Sequence, residues 1–357
     1  MRLGWLLILG VAPALQAQAP VPEYRVGVVS ESGDIITWLQ PDGARLALDR
    51  VVPIGVMPAD IDGPHNITVS PDNRFYYVSV AHGTPFGTLW KLDAATDAVL
   101  GRAPLELFPT TISLTPDGAL AFVANSDFHG DHPRTNVVTV VHTPSMTPIT
   151  NISACDMPHG VKVNHAGIRV YVSCMHSDEL LEIDVSTLQI TRRAPTGGGH
   201  PMAVGMNAPP VSHECAPTFV SVSPDDRTLF VACNYGNSLQ VWDAARFAFV
   251  REIPVGTGAY NVEPSRDGSL ALVTNKKAQS VSLVDTRTST EVARIPTSKK
   301  IVHGVAFSPD GRYAYISCES IGADPGSVDV VDLAARRVVF SIPVPGQPTG
   351  ITIWQGK

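Results

Sequence analysis

The sequence predicts an all-β fold, and three observations carry that prediction. Apolar residues alternate with a period of two over many short stretches, as is typical of β-strands. The 29 glycines and 30 prolines are spread evenly and mark frequent turns. A unit of two strands joined by Ser-Pro-Asp-Gly, or by a related turn, recurs along the chain. Such recurrence at a fixed spacing is typical of repeat architectures.

The unit is well illustrated by residues 157–176, MPHGVKVNHAGIRVYVSCMH, in which Gly167 closes the turn. A third strand such as SVSLVD (280–285) and a fourth such as EVARIP (291–296) follow each pair. Four strands per repeat of this length predict the blades of a β-propeller. The first strands begin 42 to 59 residues apart, at His65, Thr110, His159, Thr218, Tyr260, His303 and Thr349.

The seventh repeat needs both ends of the chain. Residues 24–32, 33–40 and 44–55 match the second to fourth strands of a blade, and 351–354 match the innermost strand. The sequence therefore predicts a seven-bladed β-propeller, with its last blade closed by N-terminal strands plus the C-terminal innermost strand. This closure removes open sheet edges. We expect one domain over residues 20–357.

The segment Leu272-Val273-Thr274-Asn275 carries a resemblance to a known family. Together with the repeat over nearly all of the chain, it resembles the YVTN-repeat family of bacterial seven-bladed β-propellers. The resemblance implies the fold. It implies little about function, because one fold hosts many activities.

Residues 1–19 have the pattern of a signal peptide, with one arginine, an apolar run and then small residues. We therefore expect a periplasmic or secreted protein. No later apolar run is long enough to predict a membrane span. The 26 basic residues against 33 acidic ones argue against nucleic-acid binding.

Five cysteines in an oxidising compartment permit disulfides, and the odd number leaves at least one unpaired. Cys155–Cys174 and Cys215–Cys233 are plausible pairs, although spacing does not fix the pairing. No C-x-x-C-H segment is present, so no covalent haem is expected. No common hydrolase or nucleotide-binding motif occurs either.

The repeat register predicts that nine of the eleven histidines lie on one face of the propeller. His65, His159 and His303 begin innermost strands. The other histidines of this face follow second strands or lie in the loop 197–217, and they are His82, His129, His132, His176, His200 and His213. Such sorting favours a functional face.

His65, His159 and His303 share one register in blades one, three and six, and we predict that they form a metal site. Neutral imidazoles suit copper, zinc, iron or nickel. The plainer interpretation is that each histidine bonds neighbouring backbone. Because strand side chains alternate between faces, the rings are also compatible with positions between the blades.

Several other residues are candidate accessory groups of the same face. Cys174 and His176 offer further ligands, and soft sulfur ligands make copper the first choice of metal. Cys174 is equally compatible with a disulfide. Lys276 and Lys300 are candidates to hold a carboxylate or an anionic cofactor.

The preferred hypothesis is an exported propeller with a histidine-lined copper or divalent metal centre that serves redox chemistry. It has a distant resemblance to copper-dependent methanethiol oxidases and to the haem-binding propeller of periplasmic nitrite reductases. A metal-assisted lactonase or lyase is an alternative, with Asp127, Asp131, Asp156, Glu214 and Glu319 as candidate carboxylates. A non-catalytic propeller that binds an exported partner protein, in place of a small molecule, is a third hypothesis. The sequence does not decide whether the chain is an enzyme.

Overall fold

The computed structural model describes residues 23–56, 61–81, 87–127, 136–197, 214–320 and 324–356. Seven antiparallel sheets of four strands each form a ring. This confirms the predicted seven-bladed β-propeller. The predicted signal peptide lies outside the described residues. In the described part of the chain, no helix has the length and apolar character that a membrane crossing requires.

Blade seven combines the two ends of the chain, as the sequence predicts. Its sheet order is β28, β1, β2, β3 from the axis outward. These strands are β1 (Arg25–Ser30), β2 (Ile35–Asp42), β3 (Arg45–Pro53) and β28 (Pro348–Trp354). A short 3-10 turn, Glu31–Gly33, follows β1.

The other six blades each consist of four consecutive strands, and in each the first strand lies innermost. Blades one to three are β4 (Pro64–Val69), β5 (Phe75–Val80), β6 (Thr88–Asp93), β7 (Val99–Pro104); β8 (Pro109–Leu114), β9 (Leu120–Asn125), β10 (Val137–His142), β11 (Thr147–Ser153); and β12 (Pro158–Val163), β13 (Arg169–Cys174), β14 (Glu179–Asp184), β15 (Gln189–Pro195). Blades four to six are β16 (Pro217–Val222), β17 (Thr228–Cys233), β18 (Ser238–Asp243), β19 (Ala248–Pro254); β20 (Ala259–Pro264), β21 (Leu270–Asn275), β22 (Ser280–Asp285), β23 (Thr290–Pro296); and β24 (Ile301–Phe307), β25 (Tyr313–Glu319), β26 (Gly326–Asp332), β27 (Arg337–Val344).

The recurring turn between the first two strands is held by its own side chains. In blade one, the Ser70 hydroxyl donates to Asp72 Oδ1 at 2.6 Å and accepts from the Phe75 amide at 3.0 Å. Such side-chain bonds satisfy the turn without a partner strand. The same bond recurs in Thr115–Asp117, Ser223–Asp225, Ser265–Asp267 and Ser308–Asp310. We call the end of the propeller with these turns the turn face, and the opposite end the loop face.

The core lies between neighbouring blades. One cluster joins Val29 and Trp38 of blade seven to Tyr76 and Trp90 of blade one, all nearly inaccessible to solvent. Because the side chains of a strand alternate, each blade offers an apolar set to both of its neighbours. Burial of these sets is the main apolar contribution to stability.

Every innermost strand contains a β-bulge near its first residue, on the loop face. In blade one, Pro64 pairs with Val80 and Asn66 with Ser79, so His65 is an extra residue without a partner. A bulge locally redirects side chains. The equivalent register shift occurs in the other six blades, and the residues at the position of His65 are Thr110, His159, Thr218, Tyr260, His303 and Thr349.

The carbonyl of each bulge residue accepts a hydrogen bond from a side chain of the preceding blade. Thr349 Oγ1, for example, donates to the carbonyl of His65 at 2.8 Å. The remaining donor–acceptor pairs are Ser79–Thr110, Thr110–His159, His159–Thr218, Thr218–Tyr260, Thr274–His303 and Ser317–Thr349. The bulges are therefore tied into a closed ring around the axis.

Two disulfides fasten the loop face, and both pairs that the sequence left open are formed. Cys155 bonds Cys174 in blade three, and Cys215 bonds Cys233 in blade four. Each links the segment that enters an innermost strand to the end of the second strand. Cys318 is buried and unpaired.

The innermost strands approach one another closely at Gly350, which follows the bulge of blade seven, and this predicts that a side chain there destabilises the fold. A Cβ there would lie 2.7 Å from Asn66 Cα and 3.0 Å from the His65 carbonyl oxygen. Backbone atoms cannot yield cheaply, so Gly350→Ala should lower the free energy of unfolding by about 2 kcal/mol in denaturant titrations. Gly356→Ala, whose Cβ would meet only Trp354 at 3.7 Å, should change it by less than about 0.5 kcal/mol. Equal effects would contradict the argument.

Candidate functional site

Four rings from the bulge positions converge on the axis. His65, His159, Tyr260 and His303 occupy blades one, three, five and six, and we call them the axial cluster. The His65 and His303 ring centroids are 5.4 Å apart, and those of Tyr260 and His303 are 4.7 Å apart. His159 and Tyr260 also lie 5.4 Å apart. The bulges thus resolve the question of direction that the sequence left open.

Threonine at the other three bulge positions lets these rings meet. Thr349 lies between the blades of His65 and His303, and Thr218 lies between those of His159 and Tyr260. Their short side chains turn toward the neighbouring blade and bond its carbonyl. The space at the axis is therefore left to the larger rings.

His159 is held at both of its ring nitrogens. Nδ1 donates to the Thr218 carbonyl at 2.8 Å, which is the plainer interpretation of this histidine. Nε2 is therefore the acceptor, and the Tyr260 hydroxyl donates to it at 3.0 Å. Burial, assisted by the neighbouring His65, lowers the pKa of His159 to about 3. His159 is neutral at physiological pH.

His65 and His303 differ from His159 in their partners. His65 Nδ1 lies 2.9 Å from Glu31 Oε2, and both side chains are buried. His303 is buried, and neither of its ring nitrogens makes a hydrogen bond to any described residue. Burial and the nearby Lys276 hold the pKa of His303 well below its usual value. A neutral, unbonded imidazole therefore faces its neighbours on the axis.

Lys276 and Glu319 form the charged edge of the cluster. Lys276 Nζ lies 3.0 Å from Glu319 Oε1 and 4.1 Å from the centroid of the Tyr260 ring. Burial alone would lower the pKa of Lys276, but Tyr260 and Glu319 outweigh it and raise the pKa. Burial raises the pKa of Tyr260, which keeps its hydroxyl protonated. Glu319 Oε1 is also 3.8 Å from His303 Nε2.

A cavity of about 590 Å³ runs along the axis from the cluster to the turn face. All four rings of the cluster line one end of it. At the other end it is lined by turn residues that include Asn73, His165 and Arg266. The cluster is thus buried in the fold but borders an open channel.

The structure brings together four of the residues that the sequence singled out: His65, His159, His303 and Lys276. Of the candidate carboxylates, Glu319 contacts them. His176 is half-buried, and its charge contributes to the low pKa of His159. Lys300 is exposed. His82, His129, His132, His200, His213 and Asp131 lie outside the described residues.

The hypothesis that Cys174 is a soft metal ligand is wrong. Its sulfur is bonded to Cys155, so no thiolate is available for a metal ion. Cys155, Cys174 and Glu179 are the one described group of three candidate ligands whose atoms lie within 4.8 Å of one another. Neither the three histidines nor His65 and His303 with Glu319 therefore form a preformed tridentate site.

Tyr260 and Glu31 are site residues that the sequence interpretation missed. Tyr260 begins an innermost strand in the same register as the three histidines, and that register was sufficient to find it. Glu31 directly follows the second strand of blade seven, as Lys276 does in blade five, and Glu319 is the last residue of the second strand of blade six. Alignment of those strand ends would have added Glu31 to Lys276 and Glu319, which the sequence had already singled out.

The geometry defines a seven-bladed β-propeller with a buried cluster of rings at one end of its axis. The chain is 26% identical over 302 residues to a "Seven-bladed beta-propeller protein", Rv1057 of Mycobacterium tuberculosis, covering 73% of this chain and 70% of that one. Residues 267–355 match the family "Cytochrome D1 heme domain". The resemblance to bacterial seven-bladed propellers is confirmed.

Solved structures with the same fold include proteins that are named for different functions. Hydrazine synthase of Kuenenia stuttgartiensis aligns with a TM-score of 0.67 at 20% identity, over 85% of this chain and 99% of that one. A functionally unknown protein of Desulfotomaculum acetoxidans gives 0.72 at 14% identity, over 94% and 100%. The dihydro-haem d1 dehydrogenase NirN gives 0.57 at 18%, over 96% and 77%. At these identities the likeness extends to the fold alone.

The low pKa values of buried His159 and His303 predict how the stability of the fold changes with pH. The unfolded chain binds a proton at each histidine near pH 6.5, whereas folded His159 does so only near pH 3. Stability should therefore fall as the pH drops below about 6.5, and His159 alone should account for about 2 kcal/mol between pH 7.5 and 5. His303 acts in the same direction.

This prediction is tested by denaturant unfolding of metal-chelated protein at the two pH values. The loss of stability on acidification should be about 2 kcal/mol smaller in His159→Gln than in the wild type. His142→Gln, which alters a histidine of blade two that bonds Ser145, should retain the wild-type loss. An unchanged loss in His159→Gln would contradict a neutral His159.

Proposed function

We propose that this chain is a metal-binding propeller that holds one ion in the axial cluster, through His65 and His303 with Glu319 beside them. The observation that carries the proposal is His303, whose two ring nitrogens are buried without a hydrogen bond to any described residue. A buried polar group without a partner costs about 1–3 kcal/mol. A metal ion at one nitrogen would remove the cost of that nitrogen.

The contacts of His65 support the same proposal. A metal-binding histidine usually gives its second ring nitrogen to a carboxylate or carbonyl, which fixes its tautomer and raises its basicity. Glu31 is such a carboxylate, because its Oε2 lies 2.9 Å from His65 Nδ1. His65 Nε2 is then the nitrogen left for an ion. His159 would join as a third ligand only if its bond to Tyr260 opened.

The donor set limits the choice of ion. Imidazole nitrogens with one carboxylate suit Zn²⁺, Fe²⁺, Ni²⁺ or Cu²⁺, whereas Mg²⁺ and Ca²⁺ prefer oxygen ligands. With Cys174 in a disulfide, the argument for Cu⁺ loses its thiolate. Zn²⁺ has no redox chemistry, so a redox role requires one of the other ions. The lactonase alternative with magnesium or calcium has less support from these residues.

Haem is the second candidate, because residues 267–355 match a haem-domain family and include His303. The imidazole of His303, which makes no hydrogen bond to a described residue, could hold haem iron. The charges fit less well, because haem carries carboxylates. The cluster holds Glu31 and Glu319, and its ammonium group, Lys276, is already paired. We therefore place a metal ion first.

We also propose that the protein is exported. Disulfides persist in oxidising compartments and are rare in the cytosol. The two disulfides of blades three and four are compatible with the signal peptide predicted from residues 1–19. Cleavage at that segment in the secreted or periplasmic fraction is the direct test.

Metal titration of the chelator-treated protein tests the site. Zn²⁺ and Cu²⁺ should each bind in one equivalent by calorimetry. His303→Ala should weaken binding by at least tenfold, and Glu31→Gln by about tenfold through its effect on His65. Tyr260→Phe releases His159 Nε2, so it should strengthen binding if His159 completes the site.

His142→Ala is the matched control, because it removes a histidine away from the axis and should leave the affinity unchanged. Haemin titration monitored by the Soret band separates the second candidate. Saturable haemin binding that His303→Ala abolishes, without saturable metal binding, would replace the first proposal with the second. Absence of saturable binding for both would contradict the whole proposal.

A further inference from the structure

The axial channel below the cluster has its own chemistry. Three residues beyond each bulge, the innermost strands present Thr68, Ser113, Lys162, Ser221, Glu263, Ala306 and Thr352. Five of these seven side chains are small. Small residues at this level leave the centre of the propeller open instead of filling it, and the cavity of about 590 Å³ is the result.

Lys162 and Glu263 are the two charged residues of this level. Lys162 Nζ lies 3.7 Å from Glu263 Oε2, and the side chains are 28% and 33% exposed. The distance exceeds that of a hydrogen bond, so the pair is loose. The ammonium therefore keeps donors that a ligand can use.

The charged lining of the cavity is cationic on balance. Lys162 and Arg266 face one carboxylate, Glu263, and the remaining titratable side chain of the turn-face mouth, His165, bonds Asp226 at 2.8 Å. This contrasts with the whole chain, whose formal net charge is −7. Within the cavity this lining favours a small anion, although the turn aspartates lie outside it on the same face.

We propose that the axial cavity is a binding site for a small carboxylate, which enters from the turn face and is held by Lys162 with Arg266 at the mouth. Hydroxyl groups of Thr68, Ser113 and Thr352 line the same space and can donate to the ligand. The binding itself needs no metal ion. That the carboxylate is a substrate of the axial cluster rests on the proposed function.

Ligand-observed ¹⁹F NMR with trifluoroacetate tests the site in the full chain, with trifluoroethanol as the neutral probe. Trifluoroacetate should bind saturably and be displaced by acetate, whereas trifluoroethanol should not bind. Lys162→Met should weaken binding about tenfold. Glu263→Gln should strengthen it several-fold, because it removes the competing carboxylate and releases Lys162.

Arg246→Gln is the matched control for loss of a positive charge, because Arg246 is 82% exposed and does not line the cavity. It should bind trifluoroacetate as the wild type does. Equal binding by the wild type and Lys162→Met, or equal weakening in Arg246→Gln, would overturn the proposal. A loss of affinity in Glu263→Gln would also overturn it.

The trifluoroacetate titration is repeated after chelation of metal. The result distinguishes failure of the carboxylate site from failure of the proposed metal centre. Carboxylate binding that survives chelation, in a protein that takes up no metal, leaves this site intact and refutes the metal centre. Metal binding without carboxylate binding does the reverse.

Discussion

The tie between each bulge carbonyl and the preceding blade is the constraint on which the rest of the structure depends. A bulge leaves one residue of the innermost strand outside the ladder, and its carbonyl would be buried without a partner. A hydroxyl of the preceding blade supplies that partner in six blades, and His159 supplies it for blade four. Because the ties run around a closed ring, each blade fixes the bulge of the next. The site can be built on residues that contribute nothing to the strand ladder.

This arrangement divides the bulge positions into two kinds. Where threonine stands, its hydroxyl reaches sideways and serves the scaffold. Where His65, Tyr260 or His303 stands, the side chain makes no tie and projects to the axis. In these blades the tie to the next blade is made by Ser79, Thr274 or Ser317, which lies on the second strand of the same blade. His159 serves both purposes, because Nδ1 ties blade four and Nε2 meets Tyr260. The ring of ties does not use the imidazole of His303, so the fold tolerates a buried ring that makes no hydrogen bond to a described residue.

The sequence predicts most of the fold because each repeat contains the local patterns that specify its strands and turns. Period-two alternation, the Ser-Pro-Asp turn and the spacing of the repeats predict the strands, and the incomplete seventh repeat predicts closure by both ends. The register also places His65, His159 and His303 correctly at the axis. The direction in which these rings point and the distances between them were not predictable. The bulge that turns these rings inward arises from the pairing of two strands, and the position of Glu31 beside His65 requires closure of the ring by blade seven. Disulfide pairing likewise depends on which strand ends meet on the loop face.

The charges along the axis explain why the cluster end and the turn-face end of the channel suit different ligands. On the loop face, the carboxyl groups of Glu31 and Glu319 lie beside the imidazoles of His65 and His303, with Lys276 as the nearby cation, so this end favours a positive ion. Toward the turn face, Lys162 and Arg266 outweigh Glu263, so that end favours a negative one. A cation held at His65 and His303 would sit at the inner end of a channel biased toward anions. Opposite charges attract, so each ligand would strengthen the binding of the other, and by linkage the coupling would be equal in both directions.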